Sequence, residues 1–150
     1  MRFLRRTPVR TFLVYPFITV LWELTIHAGR IEPNFWFLPL MIWGYLQYHL
    51  CGLYRIKHGG GGPGLETPPE HLVSTGPYAY TRNPMYLGHL IFLTGLTLTL
   101  KSWLAALITG AVALWFHLRV LADEKKLVAR LSQPYVNYMG SVKRWIPGFF

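Results

Sequence analysis

The hydrophobic positions of this chain fall into four long runs separated by short polar segments. The runs cover residues 11–28, 35–54, 85–100 and 103–121. At about 1.5 Å per helical residue, each is roughly long enough to cross a ~30 Å hydrocarbon core, the third only just. Buried helices of a water-soluble protein could be as apolar, but four such runs in 150 residues favour membrane spans. The pattern predicts an all-α integral membrane protein with four transmembrane helices and no β-sheet.

The segments between the runs differ greatly in length. Only Lys101 and Ser102 separate the third and fourth runs, which predicts a tight antiparallel hairpin. A long loop, residues 57–84, separates the second and third runs and carries four consecutive glycines at 59–62. No strand precedes these glycines and no Gly-Lys-Ser/Thr follows, so we interpret them as a flexible lid or linker rather than a phosphate loop. A loop this long in a small chain is typically functional.

The C-terminal part, residues 122–150, belongs to the same single domain as the rest of the chain. Its first residues are amphipathic, with Leu127 and Leu131 four positions apart. The fourth span is therefore expected to continue as one long helix until Pro134 ends it.

The distribution of charged residues indicates how the predicted helices are oriented in a membrane. The chain is 52% hydrophobic and 14% charged, with a net charge of +9 that could suggest nucleic acid. However, 13 of the 15 Lys and Arg residues lie before the first run, between the second and third, or at or beyond the end of the fourth, leaving Arg30 and Lys101 on the other side. The positive-inside rule then places both termini and the 57–84 loop in the cytoplasm. Topology and contact with anionic lipid explain the basicity without a nucleic-acid partner.

Residues 76–88 are the chain's densest polar and aromatic block, and they adjoin the third run. Asn83 and Pro84 form a helix-start signal, an Asn cap followed by proline at the first helical position. Arg82 adds a permanent cation with a planar fork of donors. A helix N-terminus with free N–H groups at a membrane surface suits an anionic or zwitterionic ligand. Metal chemistry is not expected, because Cys51 is the only cysteine and the histidines lack ligand spacing.

Several motifs from Glu70 onward resemble one family in both identity and order. They are residues 71–78 (HLVSTGPY), residues 82–88 (RNPMYLG), Arg119, Asp123, Glu124, Leu127, Tyr135, Tyr138 and the terminal Trp145-Ile146-Pro147. This half of the chain is similar to the isoprenylcysteine carboxyl methyltransferases and to the wider group of phospholipid methyltransferase-like membrane proteins. The first two spans carry no signature of that family.

The resemblance implies an integral-membrane methyltransferase that uses S-adenosylmethionine, bound in a cytoplasmic pocket built from the loop, the start of the third span and the C-terminal helix. Arg119 would lie near the methyl acceptor. The implied cofactor-binding residues, with Arg82 assigned to the same pocket, are Glu70, His71, Leu72, Val73, Tyr78, Asn83, Pro84, Met85, Tyr86 and one or both of Asp123 and Glu124.

The chemistry of these residue types agrees with methyl transfer. Displacement at a sulfonium releases a neutral sulfur, so the protein must supply positioning and electrostatics more than proton transfer. The N–H groups after Asn83 could meet the cofactor's carboxylate, and Asp123 or Glu124 its ammonium and ribose hydroxyls. The rings of Tyr78 or Tyr86 could accommodate the sulfonium.

Two other functions remain open at this stage. A non-catalytic membrane protein that binds lipid or a partner would explain spans and charge, but not residues 76–88 or the spacing of Arg119 and Asp123. A nicotinamide-dependent membrane reductase would need clustered arginines for the adenosine 2′-phosphate, and Arg82 alone is thin support. An apolar cleft between spans suggests a hydrophobic or lipid-like acceptor, whose nucleophile (oxygen, nitrogen or sulfur) is not indicated, nor is the oligomeric state.

Overall fold

A computed structural model of the protein describes residues 6–62, 65, 67 and 69–146. Some positions used in the sequence arguments lie outside this part of the chain, namely Arg2 and Arg5 before the first run, residues 63, 64, 66 and 68 of the long loop, and Pro147. The described residues form helices and contain no strand, which confirms the predicted all-α class. The main helices are α1 Thr7–Ile26, α2 Leu38–Gly59, α3 Pro84–Leu100 and α4 Trp103–Ser141, with 3-10 turns at Phe35–Phe37 and Gly76–Ala79.

Two of these helices, α1 and α4, are long and apolar enough to cross a membrane, and the apolar α3 is shorter at 17 residues. Large apolar side chains point outward from them: Phe17 on α1 is 69% exposed and Leu107 on α4 is 71% exposed. Trp43 on α2 is 56% exposed. Exposed apolar faces of this kind are typical of surfaces that meet lipid or a partner. Two candidate spans are thus present in the described part, and the four-span arrangement stays a prediction.

Helix ends agree with the sequence in places and differ in others. α3 begins at Pro84, as the Asn-Pro signal predicts. α2 continues to Gly59, five residues beyond the expected boundary, so the long loop starts later than predicted. α1 begins at Thr7 and includes a π-helical turn, Arg10–Val14, just before Pro16. Because proline has no N–H, it removes one α-helical hydrogen bond, and a π turn is one way to absorb the loss.

The break in α4 lies at Ser132 rather than at Pro134. Ser132 has φ 54° and ψ −138°, and helical turns then resume as far as Ser141. The expectation that Pro134 ends the helix was therefore wrong: the break lies two residues earlier, and helical turns continue beyond the proline. The proline ring clashes with the carbonyl four residues earlier, so the chain departs from helical geometry before Pro134, which then fits the first turn of the next helical segment.

The chain divides into two compact units, residues 1–46 with 88–114 and residues 47–87 with 115–150. In the first unit, α2 and α3 approach closely at Gly44: a Cβ atom there would lie 2.4 Å from the Phe92 backbone nitrogen. The α3–α4 turn is as tight as predicted. Its Ser102 hydroxyl caps α4 by accepting a hydrogen bond from the Ala105 N–H at 3.2 Å.

Candidate functional site

The second unit encloses a cavity of about 360 Å³, within the range of roughly 300–1,000 Å³ that small-molecule sites occupy. The last turns of α2, the loop after it, the start of α3 and the middle of α4 all contribute to its wall. Most of the predicted site residues line it: Leu72, Val73, Tyr78, Arg82, Asn83, Pro84, Met85, Tyr86, Arg119, Asp123 and Glu124.

Glu70 and His71 are not among the lining residues, although both were expected to contact a cofactor. Their side chains are exposed, and their backbone N–H groups donate to the Gly59 carbonyl at 2.7 and 2.9 Å. The two residues therefore fasten the loop to the end of α2 through their main chain. Val73 continues from this anchor into the wall, and its Cγ2 would lie 2.5 Å from a Cβ at Gly59.

The start of α3 contributes a turn of helix to the cavity wall. Residues 83–86 line the cavity, and Met85 and Tyr86 are buried. The Asn83 amide nitrogen donates to the Arg144 carbonyl at 3.2 Å, so this side chain ties the helix start to the C-terminal segment. N–H groups in the first turn of a helix have no intrahelical acceptor, and this end of α3 is therefore a favourable place for an anion.

Asp123 presents a carboxylate to the cavity and is held by three neighbours. The Tyr86 hydroxyl donates to Asp123 Oδ2 at 3.1 Å, Arg119 Nε lies 3.6 Å from the same oxygen, and Lys126 Nζ lies 3.7 Å from Oδ1. The Asp123 side chain is 35% exposed, so the carboxylate remains accessible from the cavity. Arg119 and Asp123 thus share one helix face, as their i, i+4 spacing predicts.

Arg119 is oriented by a backbone carbonyl and by aromatic rings. Its Nη2 donates to the Leu65 carbonyl at 3.1 Å, and the guanidinium carbon lies 6.0 Å from the centre of the Tyr86 ring and 5.5 Å from that of Trp115. A cation over aromatic faces is attracted by the ring quadrupole. These contacts hold a planar donor group at the cavity wall beside the Asp123 carboxylate.

Glu124 has a different environment from its neighbour Asp123. Arg82 Nε donates to its Oε1 at 3.0 Å, and Arg144 Nε and Nη2 donate to its Oε2 at 3.1 and 2.8 Å. The Glu124 and Arg82 side chains are only 6% and 7% exposed. Both oxygens of Glu124 are thus occupied within the protein. The hydrogen bond between Glu124 and Arg144 raises the pKa of Arg144. Of the two acids that the sequence could not separate, Asp123 is the one whose carboxylate is open to a ligand.

Tyr78 is buried and bonded at both ends. Its hydroxyl donates to the Cys51 carbonyl at 3.4 Å, and its own carbonyl accepts a hydrogen bond from the Tyr138 hydroxyl. Burial raises the pKa of the Tyr78 phenol well above its ordinary value, so the group stays neutral and its ring is a fixed part of the cavity wall.

Several lining residues were not assigned a role from the sequence. Arg55 lies in the last turns of α2 and donates from Nη2 to the Gly62 carbonyl at 3.2 Å. In the sequence it counts only among the basic residues that flank the predicted spans. Its position just before the glycine-rich loop was the available signal. Residues on later turns of α4 line the cavity too, among them Lys126, Leu127, Arg130, Tyr135 and Tyr138.

Comparison with known proteins bears on the same part of the chain. Residues 62–133 match the family model described as phospholipid methyltransferase. The protein-S-isoprenylcysteine O-methyltransferase of Schizosaccharomyces pombe is 35% identical over 78 residues, 51% of this chain and 33% of the yeast protein. The enzyme of that name from Saccharomyces cerevisiae is 36% identical over 78 residues, 51% of this chain and 32% of the relative.

The chain spans about a third of the length of these curated relatives. The matched residues 62–133 include the loop, the start of α3 and the Arg119–Asp123 face of α4, which together form most of the cavity wall. The resemblance noted in the sequence is therefore confirmed: the segment that carries the candidate site matches the phospholipid methyltransferase family and is similar to the two yeast enzymes.

Proposed function

We propose that this protein transfers a methyl group from S-adenosylmethionine to a hydrophobic, lipid-like acceptor at the cytoplasmic face of a membrane. The observation that carries the proposal is the Tyr86–Asp123–Arg119 arrangement beside the start of α3, within a cavity of about 360 Å³. This arrangement lies in the segment that matches the methyltransferase family. The yeast relatives are named for O-methylation of protein isoprenylcysteine.

The residues of the cavity fit the methyl donor group by group. The first turn of α3 would hold its carboxylate through backbone N–H groups. Asp123 would accept hydrogen bonds from its ammonium or ribose hydroxyls. The ring faces of Tyr86 and Tyr78 would accommodate its positive sulfur. When bound, S-adenosylmethionine supplies an electrophilic methyl group whose transfer leaves a neutral sulfur.

Arg119 would orient the acceptor. It is the cation closest to Asp123, at 3.6 Å, and its fork of donors matches a carboxylate or phosphate. Arg55, Lys126 and Arg130 also line the cavity. Because Glu124 is occupied by Arg82 and Arg144, the other charged residues of the cavity wall are one acid, Asp123, and four cations, a balance that favours an acceptor with negative charge. In-line displacement then depends on alignment more than on proton transfer.

The proposed membrane placement follows the charge distribution. We propose that α2 and α3 are spans in addition to α1 and α4, with both termini in the cytoplasm. The basic residues of the long loop and of the C-terminal segment would then face anionic headgroups. A lipid-like acceptor could reach the cavity without leaving the bilayer.

Isothermal titration of the purified full chain in detergent with S-adenosylhomocysteine tests the proposal. We expect saturable binding by the parent protein and none of comparable strength for NADPH. A reductase would show the opposite preference, and a non-catalytic lipid-binding protein would bind neither. If S-adenosylhomocysteine binds, a radiolabelled methyl donor and a panel of prenylated peptides, phospholipids and lipid amines would then identify the acceptor class.

A further inference from the structure

Two segments far apart in sequence, residues 81–83 and 139–144, are joined by a dense set of hydrogen bonds. The Arg82 backbone N–H donates to the Lys143 carbonyl at 3.0 Å. The Thr81 hydroxyl and the Asn83 amide both donate to the Arg144 carbonyl, at 3.0 and 3.2 Å. Arg82 Nη1 donates to the carbonyls of Met139 and Val142, at 2.9 and 2.6 Å. The start of α3 thus holds the end of α4 and the residues after it.

Glu124 lies at the centre of this junction and binds a side chain from each segment. Arg82 Nη2 is 2.9 Å from Glu124 Oε1, and Arg144 Nη2 is 2.8 Å from Oε2. Arg82 is almost fully buried, whereas the Arg144 side chain is 23% exposed. Charge-assisted bonds of this kind are short and directional, and a buried carboxylate left with fewer partners is strongly disfavoured.

The C-terminal segment that this cluster holds lies next to the cavity wall. The Tyr138 side chain, just before it, is buried and lines the cavity. At its far end the Trp145 ring meets the Tyr86 ring edge-on at 6.5 Å, and Trp145 Nε1 donates to His117 Nδ1 at 3.3 Å. Tyr86 in turn carries the hydrogen bond to Asp123. Docking of residues 139–145 therefore supports the side chains that we assign to the methyl donor.

We propose that the Arg82–Glu124–Arg144 cluster is a positioning device: it holds residues 139–145 in place, and affinity for the methyl donor depends on that docking. The inference rests on the proposed function of the cavity. It gives Arg82 and Glu124 a different role from the direct cofactor contact expected from the sequence, because both Glu124 oxygens and the Arg82 donors are occupied by protein partners. If only the docked form binds, the apparent affinity is the intrinsic affinity multiplied by the fraction of molecules that are docked.

Arg144 is the position at which to test this, since removing its charge leaves the Arg82–Glu124 pair intact. We would compare Arg144→Gln, the conservative Arg144→Lys and the control Lys125→Gln, which removes an exposed cation outside the cavity wall. The first measurement is the rate of tryptic cleavage after Lys143 in the folded, ligand-free chain, divided by the rate at the same bond in the denatured chain. Such cleavage reports the population of the open form when opening is fast. The second is the dissociation constant of S-adenosylhomocysteine.

Arg144→Gln removes two charge-assisted bonds to Glu124 Oε2, and we expect the docking equilibrium to weaken by about ten- to a hundredfold. Because the apparent dissociation constant rises as the docked fraction falls, the fold-increases in the normalised cleavage rate and in the dissociation constant should multiply to that factor. Arg144→Lys should lie between Arg144→Gln and the parent in both measurements, and Lys125→Gln should match the parent. Saturating S-adenosylhomocysteine should suppress cleavage in every protein, because a ligand that binds only the docked form stabilises it.

Two results would overturn this inference alone. A higher dissociation constant, with cleavage unchanged and far below the denatured-chain rate, would mean that Arg144 acts on the ligand directly. Cleavage that approaches the denatured-chain rate with an unchanged dissociation constant would mean that docking and binding are independent. A parent protein that does not bind S-adenosylhomocysteine at all would instead overturn the proposed function, and this inference with it.

Discussion

The Tyr86 hydroxyl donates a hydrogen bond to Asp123 Oδ2 at 3.1 Å, across 37 residues of sequence. Tyr86 belongs to the buried first turn of α3 and Asp123 to the middle of α4. The bond fixes the direction of a carboxylate that is otherwise about one-third exposed. A fixed carboxylate loses less freedom on binding a ligand than a mobile one, so this pair should affect affinity more than stability.

Asp123→Asn should weaken S-adenosylhomocysteine binding by about ten- to a hundredfold, because a charge-assisted hydrogen bond contributes roughly 1.5–3 kcal/mol. Tyr86→Phe keeps the ring and should weaken binding less, by about two- to tenfold, the worth of a neutral hydrogen bond. Isothermal titration measures both. In the double variant, Tyr86→Phe should add little to Asp123→Asn, since the two act through one contact. Fully additive losses would show that they act independently.

Arg119→Ala should lower turnover by about a hundred- to a thousandfold, the usual effect of removing one electrostatic group from a reaction site. Cofactor affinity should stay close to that of the parent, because we place Arg119 at the acceptor. Arg119→Lys keeps the charge but loses the planar fork, so partial activity is expected. Steady-state methyl transfer and S-adenosylhomocysteine titration are the two measurements. An equal loss of cofactor affinity in Arg119→Ala and Asp123→Asn would contradict this division of roles.

Buried and exposed ion pairs should differ in their effect on stability. Arg82→Met leaves Glu124 with Arg144 as its remaining cation and should lower the free energy of unfolding by about 3–5 kcal/mol. Lys126 also pairs with an acid, Asp123, but its side chain is 78% exposed. Lys126→Met should therefore change the free energy by no more than about 1 kcal/mol. Denaturant unfolding in mixed micelles compares the two, and equal effects would argue against the burial of the cluster.

Gly44→Ala should destabilise the first unit, because the added Cβ would lie 2.4 Å from the Phe92 backbone nitrogen and 2.7 Å from the Gly88 carbonyl oxygen. Overpacking of this kind costs about 1–3 kcal/mol. Gly110 on α4 is the matched control, since a Cβ there meets nothing within 4 Å. Gly110→Ala should be neutral or stabilising by up to about 1 kcal/mol through helix propensity. Thermal unfolding of both variants checks the difference.

The proposed topology predicts that residues 30 and 143 face opposite sides of the membrane. In a Cys51→Ala background, Arg30→Cys and Lys143→Cys should react with a membrane-impermeant maleimide from opposite sides of sealed vesicles. The parent background without cysteine is the control for unspecific labelling. Labelling of both positions from the same side would rule out four spans with both termini in the cytoplasm.

Local chemistry made the ends of several elements predictable. Asn83-Pro84 marks the start of α3 because capping and proline geometry act within a few residues, and the i, i+4 spacing placed Arg119 and Asp123 on one face. The partners of Glu124 were not predictable in the same way. Arg82 is 42 residues away and Arg144 is 20 away, so their meeting depends on how the loop and the break at Ser132 turn the chain. Sequence spacing carries no information on such contacts, which is why two adjacent acids could not be assigned different roles.

The bond from the Arg82 N–H to the Lys143 carbonyl has a consequence for biosynthesis. A growing chain must carry the first half of the cavity wall, exposed and incomplete, while about sixty further residues are synthesised. At roughly 5–20 residues per second, that interval lasts several seconds. For the first 42 of these residues Arg82 has a charge and no Glu124 to bind, and the C-terminal carbonyls follow only later. The junction between residues 81–83 and 139–144 therefore makes assembly of the cavity a late event, completed only after Arg144 has left the ribosome.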